Sequence, residues 1–590
     1  MFRRNTDDRE RDLFDDILVQ FPEVKRHKAL ASREYAFYEE VFRHIDETVF
    51  EPLFAGNAGR PNAPLNCMAA ALILREANGW TYDELFTAMD FNLLTRLALG
   101  LTTLTGTPFC AATLFNFQKR LVEYEQEHGV NLFERLFEVL TADQLARFEV
   151  SAGIQRSDSF RAMSNIANYG RVRLLIEVLL RLYRVLEDAD RGRLNGVLEP
   201  YTSQSSDNYV YRVEAKHLPR ELKRLAELYT EVATVLGDRY AEQPAYQAFR
   251  RVMAEQFELT GDGSVRVRDR KEIGTDSLQS PDDPEATYNA KNGTPQKGYK
   301  VNVTETAAGS NAVNLVTDVA VDANNVSDGE MLAGRMDTIK QKTPELAEMH
   351  TDGGYGGSKL DPAMAGHRVL HVETGTKMGR ARVNMVYEQT EAGYRVSCPS
   401  QTVAAERTPK HWKAVFSADV CGRCPHSEVC PAKQHKAQRT FYFKESWAKS
   451  FIRSRNVEKI PEDRRTLRAN VEATVKQFCG CFNHKGKLRI RGLARVRLQM
   501  LAAAMAINFG RIFRWQAAAK PAETGETPPP TAASSPVSAM PCPFIRFFRR
   551  FAAKVLGLAC PRQSSSASFG PLLPHVVPVT TGGPFPRPPF

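Results

Sequence analysis

The sequence predicts an α/β fold, a mixed sheet carrying helical insertions and preceded by an all-α block, and three observations lead to it. Apolar residues recur at three- and four-residue spacing from about Phe21 to Leu140, the period of helices with one buried face. Short β-rich runs begin at Phe148–Ile154 and return near Gly298, Asn311, Met349 and Val369. Helical stretches lie between those runs, the alternation expected of a sheet covered by helices. At 590 residues the chain exceeds what one compact core accommodates, so several domains are expected.

In the first block, NCMAAALILREANGW and ATLFNFQKRLVEYEQ are amphipathic, Gly79 stops one helix, and Thr81 caps the next. Helix, GWT turn, YDELFTAMD helix and a later helix follow the order of helix-turn-helix modules, in which the later helix enters a DNA groove. Arg120, on that later helix, is a candidate DNA contact. The other reading of this block is a small helical bundle that touches no DNA.

Phe148–Ile154 reads as a buried strand that runs into QRSDSF and delivers Asp158 to its end. Stretches such as RVRLLIEVLLRLYRVL and RELKRLAELYTEVATVL, between Val172 and Phe257, form a helical insertion interrupted by SQSSDN. GYKVNVTET and NAVNLVTDVAVD read as a hairpin split by AAGS. A helix begins near Ser327, a strand ends at Met349–Asp352 before the glycine-rich DGGYGG, and another follows at Val369–Glu373. Strand with Asp158, hairpin, helix, strand with Asp352 and a later helix with Glu472 is the order of an RNase H-like domain.

The net charge of +10 points to a polyanionic partner, because clustered Lys and Arg displace condensed counterions from nucleic acid; membrane surfaces also suit that charge. No run approaches the roughly 20 apolar residues of a membrane span, and the start MFRRNTDDRERDLFDD has no apolar signal segment, so a cytoplasmic, nucleoid-associated protein is expected. Ten cysteines in a chain of this length do not make a disulfide scaffold. Four of them, Cys398, Cys421, Cys424 and Cys430, follow C-x22-C-x2-C-x5-C spacing, and the VCGRCPHSEVC portion can offer three thiolates to a tetrahedral zinc ion with Cys398 as the fourth ligand. His426, His411 or the group Cys479, Cys481 and His484 are alternative ligands. Zinc would then fold an insertion with few apolar residues of its own.

Cutting a phosphodiester at neutral pH needs an activated water or hydroxyl in line with the leaving oxygen, and two divalent ions about 3.5–4 Å apart serve both oxygens. Magnesium, with manganese as a substitute, asks for one or two carboxylates plus water and phosphate, so three acidic residues drawn from distant segments suffice.

Across roughly Phe21–Phe513 the chain resembles the DDE transposases of bacterial insertion sequences. SPDDPEATYNAKNGTPQKGYKVNVTET is similar to the family's Asp-Pro-x-Ala segment and the Gly-Tyr-Lys strand it enters, and HTDGGYGG is similar to its second-aspartate signature. The resemblance makes Asp158, Asp352 and Glu472 the three catalytic carboxylates, binding two magnesium ions. In the family's third-carboxylate signature a Tyr and an Arg precede the Glu and a Lys follows it. Here Arg468 and Glu472 keep the central spacing, while Arg465 stands in the Tyr position and Cys479 in the Lys position. Arg468, Glu472 and Lys476 fall at i, i+4 and i+8, so one helix face would present two cations to phosphate. The basic run KGKLRIRGLARVRLQM, with Lys485, Lys487, Arg489 and Arg491, reads as phosphate-contacting. The resemblance also supports the zinc assignment, since relatives with a long insertion before the third carboxylate carry a similar cysteine cluster.

The segments expected are 1–147 for transposon-end binding, 148–171 for the first core strand, 172–262 for the helical insertion, 263–380 for the core with Asp352, 381–446 for the cysteine-rich insertion, 447–516 for the core with Glu472, and 517–590 for a disordered proline-rich tail. The implied partners are double-stranded DNA with terminal inverted repeats, target DNA and a second copy of the chain, with no membrane. A metal-dependent nuclease without strand transfer and an inactive DNA-binding relative are the other readings. CPFIRFFRRFAAKVLG in the tail reads as a fraying basic amphipathic helix without a function, with contact to a membrane or DNA as the other reading.

Overall fold

The computed structural model describes residues 1–6, 16–55, 59–104, 106–261, 263–291, 293–374, 385–435 and 438–519. The linker and tail expectations fall outside the described residues.

In the helical block, the helix Leu65–Asn78 is buried along its length from Leu65 to Arg75, as a helix apolar on every side must be. Gly79 ends it at φ +65, a left-handed conformation that a Cβ would strain. Thr81 then opens the helix Tyr82–Phe91 with a reciprocal cap: its hydroxyl accepts from the Glu84 N–H, and the Glu84 carboxylate accepts from the Thr81 N–H. Helices Leu93–Ala98, Ala111–His128 and Leu132–Arg147 complete the block.

The main sheet has six strands: β1 (Ile154–Met163), β2 (Thr287–Lys291), β3 (Thr294–Thr306), β4 (Val316–Ala323), β5 (Glu348–Asp352) and β6 (Leu370–Thr374). The lateral order is β4-β3-β1-β5-β6, with β2 on the first half of β3. β3 is antiparallel to β1 and β4, whereas β5 is parallel to β1 and β6 parallel to β5. β1 runs through to Met163 because the long β3 pairs with it from Thr306 back to Gly298. Asp158 therefore lies in mid-strand opposite Val303, not at the strand end that the sequence pattern suggested.

Val301, Val303, Val319 and Val321 share one hydrophobic core with Phe37 and Met68 of the helical block and with Met500, Leu501 and Phe509 of the long helix Leu493–Ala519. A second core, with Leu332, Met336, Met349 and Leu360, joins helices Asp328–Lys342 and Leu360–Gly366 to β5. Arg335 bridges Asp318 on β4 and Glu134 of the helical block, so block and sheet are linked by buried charge as well as by apolar packing.

Between β1 and β2 stand five helices, from Arg171–Val185 to Pro244–Gln256, with their own core around Leu175, Tyr229 and Phe249. After β6 the cysteine-rich insertion is a six-stranded antiparallel sheet, formed by Val386–Thr390, Gly393–Ser397, Thr402–Arg407, Trp412–Ser417, Lys433–His435 and Gln438–Phe443. It carries a core of Tyr394, Val396, Trp412, Phe416 and Phe443, which corrects the expectation of an insertion poor in apolar residues. Gly393, at φ +133, lets the Trp412 indole lie against the backbone, where a Cβ would come within 2.7 Å of the ring. The KGKLRIRG run forms a turn closed by a Phe482–Leu488 bridge, and the long helix starts only at Leu493.

Candidate active site

β1 and β5 are adjacent and parallel, so Asp158 in the middle of one and Asp352 at the end of the other reach toward the same edge of the sheet. Glu472 arrives from a distant stretch, in the first turn of the short helix Val471–Gln477. The residue that joins the three is Arg468. Its Nη2 lies 3.3 Å from Asp158 Oδ2 and 3.5 Å from Asp352 Oδ2, and its Nη1 lies 3.7 Å from Glu472 Oε1. One guanidinium thus meets all three acidic side chains that the sequence singled out.

The helix face expected for Arg468, Glu472 and Lys476 is not continuous. Arg468 lies in the tight 3-10 turn Leu467–Asn470 that precedes the α-helix, which turns its guanidinium into the cluster; Lys476 is exposed on the helix itself. Side-chain exposure rises from 13% at Asp158 to 39% at Asp352 and 58% at Glu472, so the cluster opens to solvent on the Glu472 side.

Burial pushes the Asp158 carboxyl up to about 6; Arg468 and the Ser159 N–H oppose the rise, while Asp352 and Glu472 reinforce it. Asp158 Oδ1 accepts from the Ser159 N–H at 2.8 Å, and Asp352 Oδ1 accepts from the Gly354 N–H at 2.8 Å. Tyr355 is fully buried, and its hydroxyl donates to Asn302 Oδ1 at 2.5 Å, anchoring the loop after Asp352 beneath the sheet. Burial and the nearby Asp158 push its phenol well above the ordinary tyrosine range.

Two acidic residues beside the cluster escaped the sequence reading. Asp328, at the start of its helix, accepts from Ser159 Oγ at 2.6 Å and lies 3.0 Å from Lys300 Nζ. Glu305, on β3, is fully buried against Arg156 and Arg511. In the sequence Glu305 was marked only as the one acidic residue of the strand TPQKGYKVNVTET.

Of the cations taken as phosphate contacts, Lys487, Arg489 and Arg491 are turned to the protein's own carbonyls, at Ile166, Gly79 and Asn165 respectively. They brace the turn before the long helix. Lys485 is exposed, and Arg120 is exposed with its guanidinium 5.1 Å from the Phe54 ring centre.

Cys398, Cys421, Cys424, Cys430 and His426 line one small cavity of the second sheet. All four thiols are free of disulfides; Ser400 Oγ donates to Cys424 Sγ at 3.1 Å and Gln401 Nε2 to Cys421 Sγ at 3.2 Å. Of the alternative ligands, Cys481 is buried beside Glu76. Among the described residues no three His, Cys, Asp or Glu side chains stand together as a ready-made metal-ligand set, neither at the thiols nor at the carboxylates. Nor is any helix among them long and apolar enough to cross a membrane.

Residues 25–120 match the family described as "Transposase domain (DUF772)", which covers most of the helical block, and residues 391–513 match the "Transposase DDE domain" family. The second match takes in the cysteines, Arg468, Glu472 and most of the long helix; Asp158 and Asp352 precede it. No curated protein and no solved structure matches the chain. The two family matches together support the resemblance to the DDE-type transposases of insertion sequences.

Proposed function

We propose that this transposase cuts DNA at the inverted-repeat ends of an insertion sequence and joins the freed 3′-hydroxyl to target DNA, with Asp158, Asp352 and Glu472 as its catalytic carboxylates. The observation that carries this reading is the convergence of those three side chains on the single guanidinium of Arg468, which stands 310 residues along the chain from Asp158. Strand order β4-β3-β1-β5-β6, antiparallel on one side of β1 and parallel on the other, supports an RNase H-like core.

The donor set fits a hard divalent cation. Three carboxylates meet one guanidinium, so a positive group already stands among them, and burial, reinforced by the two other acids, pushes the most buried of them up to about 6. Asp158, Asp352 and Glu472 would hold magnesium or manganese, which supplies activation of the attacking water or hydroxyl and charge stabilisation at the leaving oxygen. The protein's own part is to keep Asp158 and Asp352 at fixed positions on adjacent strands and to bring Glu472 over them. Arg468, released from the carboxylates, has a planar fork suited to a phosphodiester oxygen pair.

Hydrolysis at the element end would break the P–O3′ bond and leave a 3′-hydroxyl and a 5′-phosphate. In the joining step that hydroxyl would attack a target phosphodiester; one P–O bond forms as another breaks, so no external energy source is needed. The helical block is the part suited to recognising the ends, with Arg120 on an exposed surface and Lys476 and Lys485 exposed elsewhere for backbone contacts. Two ends have to be joined together, so the working form is a homodimer or larger assembly on DNA, in the bacterial cytoplasm. The four thiols around one cavity suit structural zinc, a soft donor set for a tetrahedral ion.

The test is cleavage and joining of DNA carrying the native ends, with magnesium, by the parent chain and by Asp158→Asn, Asp352→Asn and Glu472→Gln. Cleavage and joining by the parent, lost in all three variants while DNA binding persists, is the expected result. Cleavage without joining would make the chain a nuclease on this fold. Binding without either reaction would make it an inactive relative.

A further inference from the structure

We infer that Glu305 is a positioning residue: through Thr474 and Arg156 it sets the place of the Glu472 helix and the Arg468 turn over the strand that carries Asp158. The inference rests on the proposed role of the three carboxylates.

Glu305 stands directly opposite Arg156 in the β1–β3 pairing, and Arg156 precedes Asp158 by two residues, on the same face of β1. Its Oε1 accepts from Arg156 Nε at 2.6 Å. Its Oε2 accepts from Thr474 Oγ1 at 2.6 Å and from Arg511 Nη1 at 2.7 Å. Arg156 Nη1 reaches on to the Leu467 carbonyl at 2.8 Å, immediately before Arg468. Arg511 Nη2 also donates to Thr474 Oγ1 at 2.5 Å. One carboxylate therefore ties four segments together: β1, β3, the Leu467–Gln477 stretch and the long C-terminal helix.

The consequence falls on Glu472. Its helix has seven residues, too short to hold an orientation by itself, and only Val471 and Thr474 are buried. Thr474 is the one buried polar side chain of that helix, and both of its partners belong to the Glu305 network. An apolar contact at Val471 alone would leave the helix free to rotate about its axis. The hydroxyl at 474 and the carbonyl at 467 fix it at two points, one on either side of Glu472. The charges favour the same role, because a fully buried carboxylate with two arginine partners keeps its geometry only while both its accepting oxygens keep their donors.

The experiment measures manganese binding to the full chain without DNA, by electron paramagnetic resonance, alongside melting temperature and metal-dependent cleavage of end DNA. Thr474→Val and Thr474→Ala remove the hydroxyl with different effects on volume; Thr474→Ser keeps it. The expected result is manganese affinity about tenfold weaker in Val and Ala and restored in Ser, with the metal concentration for half-maximal cleavage moving in parallel and DNA affinity unchanged, the scale at which loss of an outer-shell partner acts. Glu305→Gln should shift binding in the same direction. Parent-like manganese binding in folded Val and Ala variants, while Glu472→Gln has lost it, would overturn the inference and leave the carboxylate reading standing. A parent that binds no manganese, or binds it unchanged in Glu472→Gln, would overturn both.

Discussion

The carboxylate cluster and the cysteine cluster each gather side chains from separate stretches of chain, yet they are held in opposite ways. At the carboxylates, two ligand candidates are fixed on adjacent strands, the third is tied down through Thr474, and Arg468 supplies a positive charge from within the chain. At the cysteines the thiols sit after a strand end, in the short Ala418–Gly422 helix and in the turns behind it, with side-chain donors from Ser400 and Gln401. The first arrangement has its geometry and charge balance before any ion binds. The second has a sheet beneath it but little that orients its sulfurs, so an ion there would contribute to folding.

That contrast can be broken most sharply at Asp158. Asp158→Asn keeps the side chain's shape and should lower end-DNA cleavage by about 10²–10³-fold or more while melting stays close to the parent's, since the change removes charge where charge is needed for chemistry. Quantified cleavage beside a thermal melt checks this; a large fall in melting temperature at unchanged cleavage would invert the comparison.

Cys421→Ser should act the other way. Loss of zinc from a site a hundredfold saturated forfeits about 2.7 kcal/mol of stability. The variant, and the parent treated with a strong chelator, should therefore release zinc by elemental analysis and become protease-sensitive within residues 385–435. Identical proteolysis with and without chelator would remove the distinction between the two clusters.

His371 tests the frame under the carboxylates. It lies on β6, paired with the strand that bears Asp352, with its ring nitrogen 2.7 Å from Thr351 Oγ1. Burial, reinforced by Arg453 and His350, pushes the imidazole down to about 3 from an ordinary 6.5. The unfolded chain thus binds a proton between those values that the folded chain refuses, so stability is lost as pH falls from about 6.5 toward 3. The slope for one proton is about 1.4 kcal/mol per pH unit. Denaturant midpoints across pH 4.5–7 should show this slope in the parent and a shallower one in His371→Gln; parallel curves would contradict it.

The smallest effect is expected in the helical block, which carries neither cluster. Thr81→Ala removes a capping box and should cost about 1 kcal/mol, with cleavage chemistry unchanged once end DNA is saturating. A loss of turnover at saturating DNA would mean that the block does more than hold and bind.

The sequence exposed the ingredients of the carboxylate cluster more clearly than its assembly. Asp158, Asp352 and Glu472 were legible from their flanks, and the hairpin, the helix after Ser327 and the strand into Asp352 from residue periodicity, because those signals are local. The mid-strand position of Asp158 was not, since β1 extends only because a partner strand more than a hundred residues away is long enough to pair with it. The Glu305 network was invisible for the same reason, its partners lying 149 to 206 residues distant. Arg468 was read as a phosphate ligand on a regular helix, whereas a tight turn aims it at carboxylates. The second sheet was hidden by strands of three to six residues with one exposed face, too short for alternation to stand out.

Anomalous scattering from manganese-soaked crystals tests the central claim most directly. The account predicts a peak bonded to Asp158, Asp352 and Glu472 together, with the Arg468 guanidinium moved off the carboxylates to make room. No peak there at saturating manganese, with Arg468 still in contact with all three acids, would contradict it.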